Sequence, residues 1–540
     1  MIRDLRTLAD TEFDLLVVGA GIYGAAIAWD AAQRGLTVAL IDRADFGGGT
    51  SANSMKTVHG GVRSLQTGNP AELRLFVRER RALSRIAPHL VHPLPFVVPT
   101  YGGLTRHPLA MQAAFKLYDF LSSDRNAQLD RTRHLPPSRR ITRDECLALN
   151  PLIDPEGVTG GIVWHDCQMY NPDRVVLAFV QSAAAAGASV SNYVDATGWL
   201  RAGKQITGMR VEDRLGAGMF DIRARLVVNA AGPWSPQLTA TLPPALAAGH
   251  PPGFSKAMNL VTRSVGTREA VGGVANGRFL FIAPWRGVSI VGTSHEPYAG
   301  SPGSPPISDD DVTRFLTEVR QAFPRAGLGH DDVRLVHRGL LPSADPEGET
   351  LSKQSLVRDH RQDGTPGLMS AIGVRYTTAR ATAAEATDLA LKILGQTPRP
   401  SRTATTPLAG GDLHDWDSFL DTAVPSDVPL ALADRRRLAA TYGTGCHTLI
   451  DALTADQELA SPLSDTCPVT RGEIAHAVRT EMAVALSDAV LRRTEAGSAG
   501  HPGPEALKEA ANVMGALRSW SSEERAAQIA EVERHYRLNA

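Results

Sequence analysis

The first 41 residues contain two short apolar runs separated by a longer stretch with helical periodicity. Residues 14–18 (DLLVV) predict a buried strand, residues 22–34 a helix, and residues 36–41 (LTVALI) a second buried strand. This order forms a unit with parallel strands, and a parallel sheet is covered by helices on both faces. We therefore expect the chain to begin as an α/β fold.

Strand-like apolar runs recur through the middle of the chain, where glycine and proline separate them. They are residues 226–230 (LVVNA), 279–285 (FLFIAPW) and 288–293 (VSIVGT). Short apolar runs bounded by turn residues are typical of β-structure. The middle region is therefore predicted to be rich in strands.

The pattern becomes helical after a segment rich in proline, threonine and glycine, residues 396–412. Thr470 and Glu473 have the spacing of a capping box, and Ser521 and Glu524 repeat it before a last helix. After the first box, apolar residues recur every four positions at Ile474, Val478, Met482, Leu486 and Val490. We expect a separate helical domain here that serves in packing or oligomerisation.

Composition and charge exclude several classes of protein. With 540 residues, 43% of them apolar and 21% charged, the chain is typical of a globular protein with more than one core. Its 56 basic and 57 acidic residues are interspersed and give a net charge of −1, so we expect no nucleic-acid partner.

Cysteine usage and the N-terminus point to a reducing compartment. Cys146, Cys167, Cys446 and Cys467 form no CxxC pair, which disfavours a disulfide framework and a zinc site, and we expect no metal. The N-terminus lacks the apolar core of a secretory signal. Residues 15–32 are apolar but interrupted by glycines, which favours a buried strand and helix over a membrane span. We expect a cytoplasmic protein.

A glycine-rich fingerprint lies between the first strand and the first helix. Gly19, Gly21 and Gly24 (GAGIYG) permit a tight turn, a close approach of a pyrophosphate to the backbone, and close helix packing. Asp42 ends the second strand, where its carboxylate can accept hydrogen bonds from a ribose diol. These features together predict a bound dinucleotide without a 2′-phosphate, and they leave NAD and FAD both open.

The segment that follows, TSANSMKTVHGGVRSL (residues 50–65), resembles the FAD-dependent glycerol-3-phosphate dehydrogenase family, within the D-amino-acid-oxidase-like flavoproteins. In that family a Thr/Ser-rich run leads into a Lys-x-x-His-Gly-Gly-x-Arg motif. The resemblance covers nearly the whole chain. It continues through APHL (87–90), DC (166–167), NAAGPW (229–234), APW (283–285), VGT (291–293), RD (358–359), the Gly-x-x-x-Thr-Thr-x-Arg pattern (373–380) and LRRT (491–494).

The resemblance implies a Rossmann-like α/β FAD-binding domain, an antiparallel-sheet substrate (cap) domain and a C-terminal all-helical domain. The FAD-binding domain would be discontinuous, with residues 11–75, 155–245 and 345–400. The cap domain would comprise residues 76–154 and 246–344. A linker (401–412) would then lead to the helical domain (413–540).

The resemblance also implies the residues that contact FAD. In addition to the fingerprint and Asp42, these are Thr50, Ser51, Ser54, Lys56, His59, Gly60, Ala231, Gly232, Gly373, Thr377 and Thr378. Gly60 and Gly61 would keep side chains away from the flavin ring. Thr377 and Thr378 would place the positive end of a helix at the flavin, where it stabilises the reduced, anionic form.

For the substrate, the resemblance implies contacts from Arg63, Ser64, Asn259, Arg358 and Arg375, and catalytic roles for His59, Arg63, Arg375 and His295. Four positions depart from the family pattern. Arg375 stands where the family has lysine, Leu341 where it has arginine, Ser64 where it has tyrosine, and Asn259 where it has a histidine that is a candidate base. Asparagine cannot act as a base. His59, His295 and His337 are therefore the candidate bases, with His59 preferred.

The reaction implied is oxidation of a secondary alcohol of a glycerol-phosphate-like or related polyol to a ketone, by hydride transfer to flavin N5. The departures leave open a family member that acts on a non-phosphorylated hydroxyl substrate. The sequence is also compatible with an amine or amino-acid oxidase and with a non-catalytic flavoprotein.

The resemblance further implies quinone or oxygen as electron acceptor and peripheral contact with the inner face of a membrane. The candidate membrane segment is residues 109–121, with the basic residues Arg106, His107 and Lys116 nearby. Its apolar face would contain Met111, Phe115, Tyr118 and Leu121, and a buried helix is the alternative. We also expect a homodimer.

Overall fold

The computed structural model describes residues 1–103, 107–242, 250–303 and 305–537. Arg106 and the predicted domain boundary at residues 245 and 246 lie outside these ranges. The strands are β1 (Glu12–Val18), β2 (Val38–Ile41), β3 (Thr57–Val58), β4 (Val91–Tyr101), β5 (Arg139–Ile141), β6 (Val158–Met169), β7 (Ser189–Ser191), β8 (Val194–Ala202), β9 (Gln205–Asp213), β10 (Gly218–Asn229), β11 (Gly253–Arg263), β12 (Ala270–Ala275), β13 (Arg278–Trp285), β14 (Val288–Tyr298), β15 (Val333–Ser343), β16 (Leu356–Asp359), β17 (Leu368–Ile372), β18 (Pro462–Ser464) and β19 (Cys467–Thr470).

Helices cover both large sheets and make up most of the C-terminal region. They are α1 (Leu5–Asp10), α2 (Ile22–Gln33), α3 (Pro70–Ile86), α4 (Pro108–Leu121), α5 (Arg143–Leu149), α6 (Pro172–Ala185), α7 (Ser235–Leu238), α8 (Asp309–Ala322), α9 (Ala379–Ile393), α10 (Trp416–Thr422), α11 (Leu432–Tyr442), α12 (Cys446–Ala455), α13 (Arg471–Thr480), α14 (Pro504–Arg518) and α15 (Ser522–His535).

The predicted strand–helix–strand unit is confirmed. Its two strands, β1 and β2, are neighbours in the first sheet, and α2 connects them. The order of this sheet is β16-β17-β10-β1-β2-β7, with the β8–β9 hairpin added to β10. β1 runs parallel to both β2 and β10, and β10 runs parallel to β17. Helix α2 is rich in buried alanine, so it packs closely against α6 and α9. Because β1, β2, β10 and β17 are parallel, their carboxyl ends lie at the same edge of the sheet, where α/β proteins bind ligands.

The second sheet is largely antiparallel and has the order β15-β11-β14-β13-β12-β4-β6-β3, with β5 on β6. Helix α8 covers it with Val312, Phe315 and Val319, which join the same apolar core as Val271 and Ile282. β3 and β6 come from segments that the sequence assigns to the FAD-binding domain, yet they pair here. The remainder of the domain division stays a prediction.

Helix α4 turns part of its predicted apolar face inward. Phe115 and Tyr118 are buried against the second sheet, so the expectation of a buried helix is confirmed for these two residues. Leu109, Leu117 and Phe120 are exposed on the other side of the helix. In the described part of the chain, no helix is both long and apolar enough to cross a membrane.

The C-terminal region has both predicted capping boxes, at the starts of α13 and α15. The four-residue apolar repeat from Ile474 to Val490 does not lie on one continuous helix. Helix α13 ends at Thr480, and Met482 has a φ of +62°. The chain turns there because the Glu481 carboxylate enters a buried ion pair with Arg174, at 2.7 Å.

Buried ion pairs fix the C-terminal region to the first sheet. Both oxygens of Asp45 accept hydrogen bonds from Arg493, at 2.6 and 2.7 Å, and Arg492 adds a third at 2.6 Å. Although burial opposes it, these two guanidinium groups hold the pKa of Asp45 well below its ordinary value. In the predicted linker, Thr403 and Leu408 are also buried, so this segment is packed rather than extended.

Candidate active site

A cavity of about 1460 Å³ lies between the two sheets, at the carboxyl ends of β1, β2, β10 and β17. Single small-molecule sites usually occupy about 300–1,000 Å³, so this cavity has room for a cofactor and a second molecule. Predicted residues that line it are Gly19, Gly21, Asp42, Thr50, Ser51, Ser54, His59, Arg63, Ser64, Ala231, Gly232, Asn259, His295, Gly373, Arg375 and Thr377. Ser487, Arg492 and His535 of the C-terminal region also line it.

The fingerprint glycines allow three backbone segments to meet at one end of the cavity. Gly19 has a φ of +102°, and a Cβ atom there would lie 2.7 Å from the Ala230 carbonyl oxygen. A Cβ on Gly24 would lie 1.8 Å from the Gly19 carbonyl oxygen. Gly24 thus serves helix packing, as predicted from its position, and lies behind the cavity wall.

Asp42, the predicted ribose contact, follows β2 directly and lines the cavity. Its carboxylate accepts hydrogen bonds from the N–H groups of Ala20, at 2.7 Å, and Ala44, at 2.9 Å. Burial raises the pKa of Asp42 to about 6. A raised pKa stabilises the fold only at low pH, and this contribution is lost as the pH rises through about 6. At neutral pH the buried carboxylate therefore gains from hydroxyl donors such as a ribose diol.

The loop after β2 is held partly by its own polar groups. The Thr50 hydroxyl donates to the Leu340 carbonyl at 3.2 Å, and the Ser51 hydroxyl accepts the Ile22 N–H at the start of α2, at 3.0 Å. The Ser54 hydroxyl accepts the Lys56 N–H at 3.2 Å. These three hydroxyl groups line the cavity while they fix the path of the loop.

Two predicted cofactor contacts in this loop face away from the cavity. Lys56 is only 1% exposed, its ammonium donates to the Ala52 carbonyl at 2.6 Å, and burial lowers its pKa to about 8. A Cβ on Gly60 would overlap the guanidinium of Arg80 and the hydroxyl of Tyr118. Lys56 therefore holds the loop, and Gly60 makes room for Arg80 rather than for the flavin ring.

His59 is the predicted base with the best-developed surroundings. Its Nδ1 lies 3.6 Å from an oxygen of Asp166, and its backbone N–H donates to the Thr377 hydroxyl at 3.2 Å. Asp166 is buried, pairs with the buried Arg80, and accepts the Gly60 N–H at 2.7 Å. The imidazole is half exposed to the cavity, so it can exchange a proton there.

Arginine side chains reach the cavity from both sheets. Arg63 stacks over the rings of Phe279 and Phe281, with its guanidinium carbon 5.0 and 5.4 Å from their centroids. Arg338, which the sequence prediction missed, also lines the cavity, and burial lowers its pKa. Arginine remains charged despite such a shift, so this wall favours anions.

Two other predicted residues are not brought to the cavity wall. Arg358 forms a bidentate pair with Asp363, at 2.9 and 2.6 Å, which turns its guanidinium away. The Thr378 hydroxyl donates to the Arg375 carbonyl at 3.3 Å and lies behind Thr377.

The other positions considered for the base are Asn259, His295 and His337, and all three are more buried than His59. Asn259 is buried, and its side-chain oxygen accepts a hydrogen bond from the Thr293 hydroxyl at 2.7 Å. His295 lies at the cavity, with Nδ1 3.3 Å from the Ser255 hydroxyl, and burial lowers its pKa. His337 is buried and is not among the lining residues, and burial lowers its pKa well below the ordinary value. His337 therefore stays neutral.

The sequence prediction also missed Tyr23, which lies within the fingerprint itself. Its ring packs flat on Gly373, and its hydroxyl donates to the Arg375 carbonyl at 2.7 Å. The same hydroxyl accepts the N–H groups of Val374 and Arg375. The sequence does contain a signal for this contact. Tyr23 is an aromatic residue between two fingerprint glycines, and Gly373 follows a distant strand.

Comparison with known proteins identifies the fold and cofactor. Residues 14–389 match the model of the FAD dependent oxidoreductase family. The chain belongs to this family. Residues 401–525 match the C-terminal domain of alpha-glycerophosphate oxidase. The predicted fold class and the prediction of FAD are confirmed.

Relatives cover nearly the whole chain. Glycerol-3-phosphate dehydrogenase of Synechocystis is 30% identical over 91% of this chain and 90% of the relative. Glycerol-3-phosphate dehydrogenase 1 of Mycobacterium tuberculosis is 33% identical over 92% and 93%. The structure of glycerol-3-phosphate dehydrogenase from Bacillus halodurans complexed with FAD has a TM-score of 0.77, with 25% identity over 98% and 96%. The chain is thus an FAD-dependent oxidoreductase, and the cavity described above has room for its cofactor.

Proposed function

We propose that this protein oxidises a secondary alcohol of a glycerol-phosphate-like or related polyol to a ketone. The observation that carries the proposal is His59 with its buried Asp166–Arg80 pair, facing a cavity lined by arginine side chains. FAD supplies the hydride acceptor at its N5 when bound. The relatives named glycerol-3-phosphate dehydrogenase support the substrate class.

His59 would remove the proton of the substrate hydroxyl. Its Nδ1 faces Asp166, which leaves Nε2 for the substrate. Asp166 would orient the ring and stabilise its charged form, and the buried Arg80 forms an ion pair with Asp166. The distance of 3.6 Å from Nδ1 to Asp166 is long for a hydrogen bond. Such contacts often shorten when substrate binds.

Arginine side chains would recognise a negative or hydroxyl-rich part of the substrate. Arg63 and Arg338 both line the cavity, and planar guanidinium donors suit phosphate oxygens. The aromatic support of Arg63 restricts its motion, so less conformational entropy is lost on binding.

Anaerobic bleaching of the bound flavin tests the proposal. The purified holoprotein is mixed with polyol phosphates, unphosphorylated polyols, and amines or amino acids. We expect bleaching with at least one polyol class, accompanied by ketone formation, and none with amines. Bleaching by amines alone would identify an amine or amino-acid oxidase instead. A flavin that stays oxidised with the whole panel would favour a non-catalytic flavoprotein.

We also propose that helix α4 contacts a membrane surface, where a quinone can accept the electrons. Leu109, Leu117 and Phe120 are 60%, 50% and 75% exposed on one side of α4, beside the exposed Lys116 and Arg140. An apolar helix face with basic neighbours is suited to an anionic lipid surface.

Sedimentation with lipid vesicles tests the membrane contact. We expect binding to vesicles that contain phosphatidylglycerol and weaker binding to vesicles of phosphatidylcholine alone. Phe120→Ser should lower the affinity about tenfold, since full burial of a Phe side chain contributes roughly 1.5–3 kcal/mol. Leu432→Ser, at an exposed site on α11, is the control and should change little. Binding that Phe120→Ser does not weaken would contradict the proposal. A dimer that forms without lipid and that Phe120→Ser dissociates would also contradict it, because this face of α4 would then be a dimer interface.

A further inference from the structure

A carboxylate lies among the arginine side chains of the cavity. Glu72, from the first turn of α3, lines the cavity together with Ser64 and Arg375. One of its oxygens pairs with the Arg375 guanidinium, and the other accepts the Ser64 hydroxyl at 2.8 Å. Burial opposes ionisation, but these two donors, together with the charge of Lys353, which also lines the cavity, hold the pKa of Glu72 below its ordinary value. Glu72 is therefore an anion at neutral pH.

This arrangement changes what Arg375 can bind. Its guanidinium is already paired with Glu72 and stacks over the ring of Phe76, at 5.0 Å. A phosphate monoester carries close to two negative charges at neutral pH, and an anion that approaches Arg375 also approaches the Glu72 carboxylate. Like charges at short range oppose each other, so Arg375 is a poor anchor for a dianion while Glu72 is ionised.

The same three side chains suit uncharged hydroxyl groups. A hydroxyl can donate to Glu72 while it accepts from Arg375, and the Ser64 hydroxyl can take either role. The two neighbouring departures from the family pattern agree with this. Position 341 holds leucine in the cavity wall, so this position supplies no cation, and the small Ser64 widens the space.

We propose that Glu72 is a specificity-determining residue of the substrate site. It makes the protein prefer a polyol that brings an uncharged, hydroxyl-bearing end to Arg375 over one that brings a dianionic phosphate monoester. This inference rests on the proposed function for its substrate class. The role of Glu72 in repelling anions can be measured without turnover.

Binding of inorganic phosphate to the holoprotein is the first test. The dissociation constant is measured from the perturbation of the flavin absorbance and by calorimetry, for the wild type and Glu72→Gln. We expect Glu72→Gln to bind phosphate at least about tenfold more tightly, since one repulsive charge is removed beside Arg375. Glu385→Gln removes a charge from the exposed surface of α9 and should leave phosphate binding unchanged.

Substrate selectivity is the second test. We expect Glu72→Gln to shift the ratio of kcat/KM, phosphorylated over unphosphorylated polyol, at least about tenfold towards the phosphorylated one. Ser64→Ala, which keeps the carboxylate, should shift it far less. If the Glu72→Gln protein binds phosphate no more tightly than the wild type, the inference is overturned, whatever the activity. If phosphate binding tightens but no polyol reduces the flavin, the proposed function fails and the anion repulsion by Glu72 stands.

Discussion

Gly24→Ala is expected to yield a protein that binds FAD much more weakly than the wild type. The added Cβ would lie 1.8 Å from the carbonyl oxygen of Gly19, in the turn between β1 and α2. Helix α2 would have to move away from this turn, and the N-terminus of α2 would no longer meet the pyrophosphate. An overpacked contact costs about 1–3 kcal/mol, so we expect the affinity for FAD to fall by about 5- to 150-fold.

The measurement is the flavin absorbance of the purified protein, followed by titration of the apoprotein with FAD. Gly445→Ala is the matched control. Gly445 has a φ of −67°, and a Cβ there would have no atom within 4 Å. We expect this control to bind FAD as the wild type does. A Gly24→Ala protein that binds FAD with wild-type affinity would contradict the assignment of the fingerprint.

Asp166→Asn should impair both stability and catalysis. The change leaves the buried guanidinium of Arg80 without its counter-charge, and breaking a buried ion pair in this way costs about 3–5 kcal/mol of unfolding free energy. His59 would also lose the carboxylate that orients its ring. We expect the rate of flavin reduction by substrate to fall about 100-fold or more. Denaturant unfolding and stopped-flow absorbance measure the two effects.

The double variant Asp166→Asn with Arg80→Met separates these effects. Removing the second charge should restore much of the stability, because no unpaired ion then remains buried. The rate should stay low, because His59 still lacks its partner. A single variant as stable as the wild type, or one that reduces its flavin at the wild-type rate, would contradict the assigned role of Asp166.

The fold could be predicted from the sequence where a local sequence motif determines the local structure. The β1–α2–β2 unit follows from apolar periodicity and glycine spacing, and both capping boxes follow from four-residue motifs. The apolar repeat beyond Ile474 continues past the end of α13, because apolar spacing carries no information about the ion pair that Glu481 forms. Arg174 lies 307 residues earlier in the chain, and its buried ion pair overrides the helical period.

In the site, too, local motifs could be recognised in the sequence, whereas side-chain contacts with distant residues could not. The loop from Thr50, which the sequence predicts to contact FAD, lines the cavity, but Lys56 and Gly60 do not. Lys56 has a φ of +61° and points inward, and the space beside Gly60 belongs to Arg80. Arg358 was assigned to the substrate, whereas Asp363, five residues away, holds it.

Glu72 could not be identified from the sequence as a cavity residue. Its partner Arg375 lies 303 residues further along the chain, and only the packing of α3 against the loop after β17 brings them together. A glutamate in the first turn of a helix ordinarily indicates a favourable interaction with the helix dipole. The pairing with Arg375 is a tertiary feature that this local pattern does not reveal.

We expect one cavity to hold FAD together with the alcohol that reduces it. An electron-density map of the protein reconstituted with FAD and soaked with an unreactive polyol analogue tests this most directly. We predict FAD density from Asp42 to the loop of residues 373–377, and analogue density between His59 and Arg375. Flavin bound elsewhere, or an analogue that lies outside this cavity, would contradict the claim.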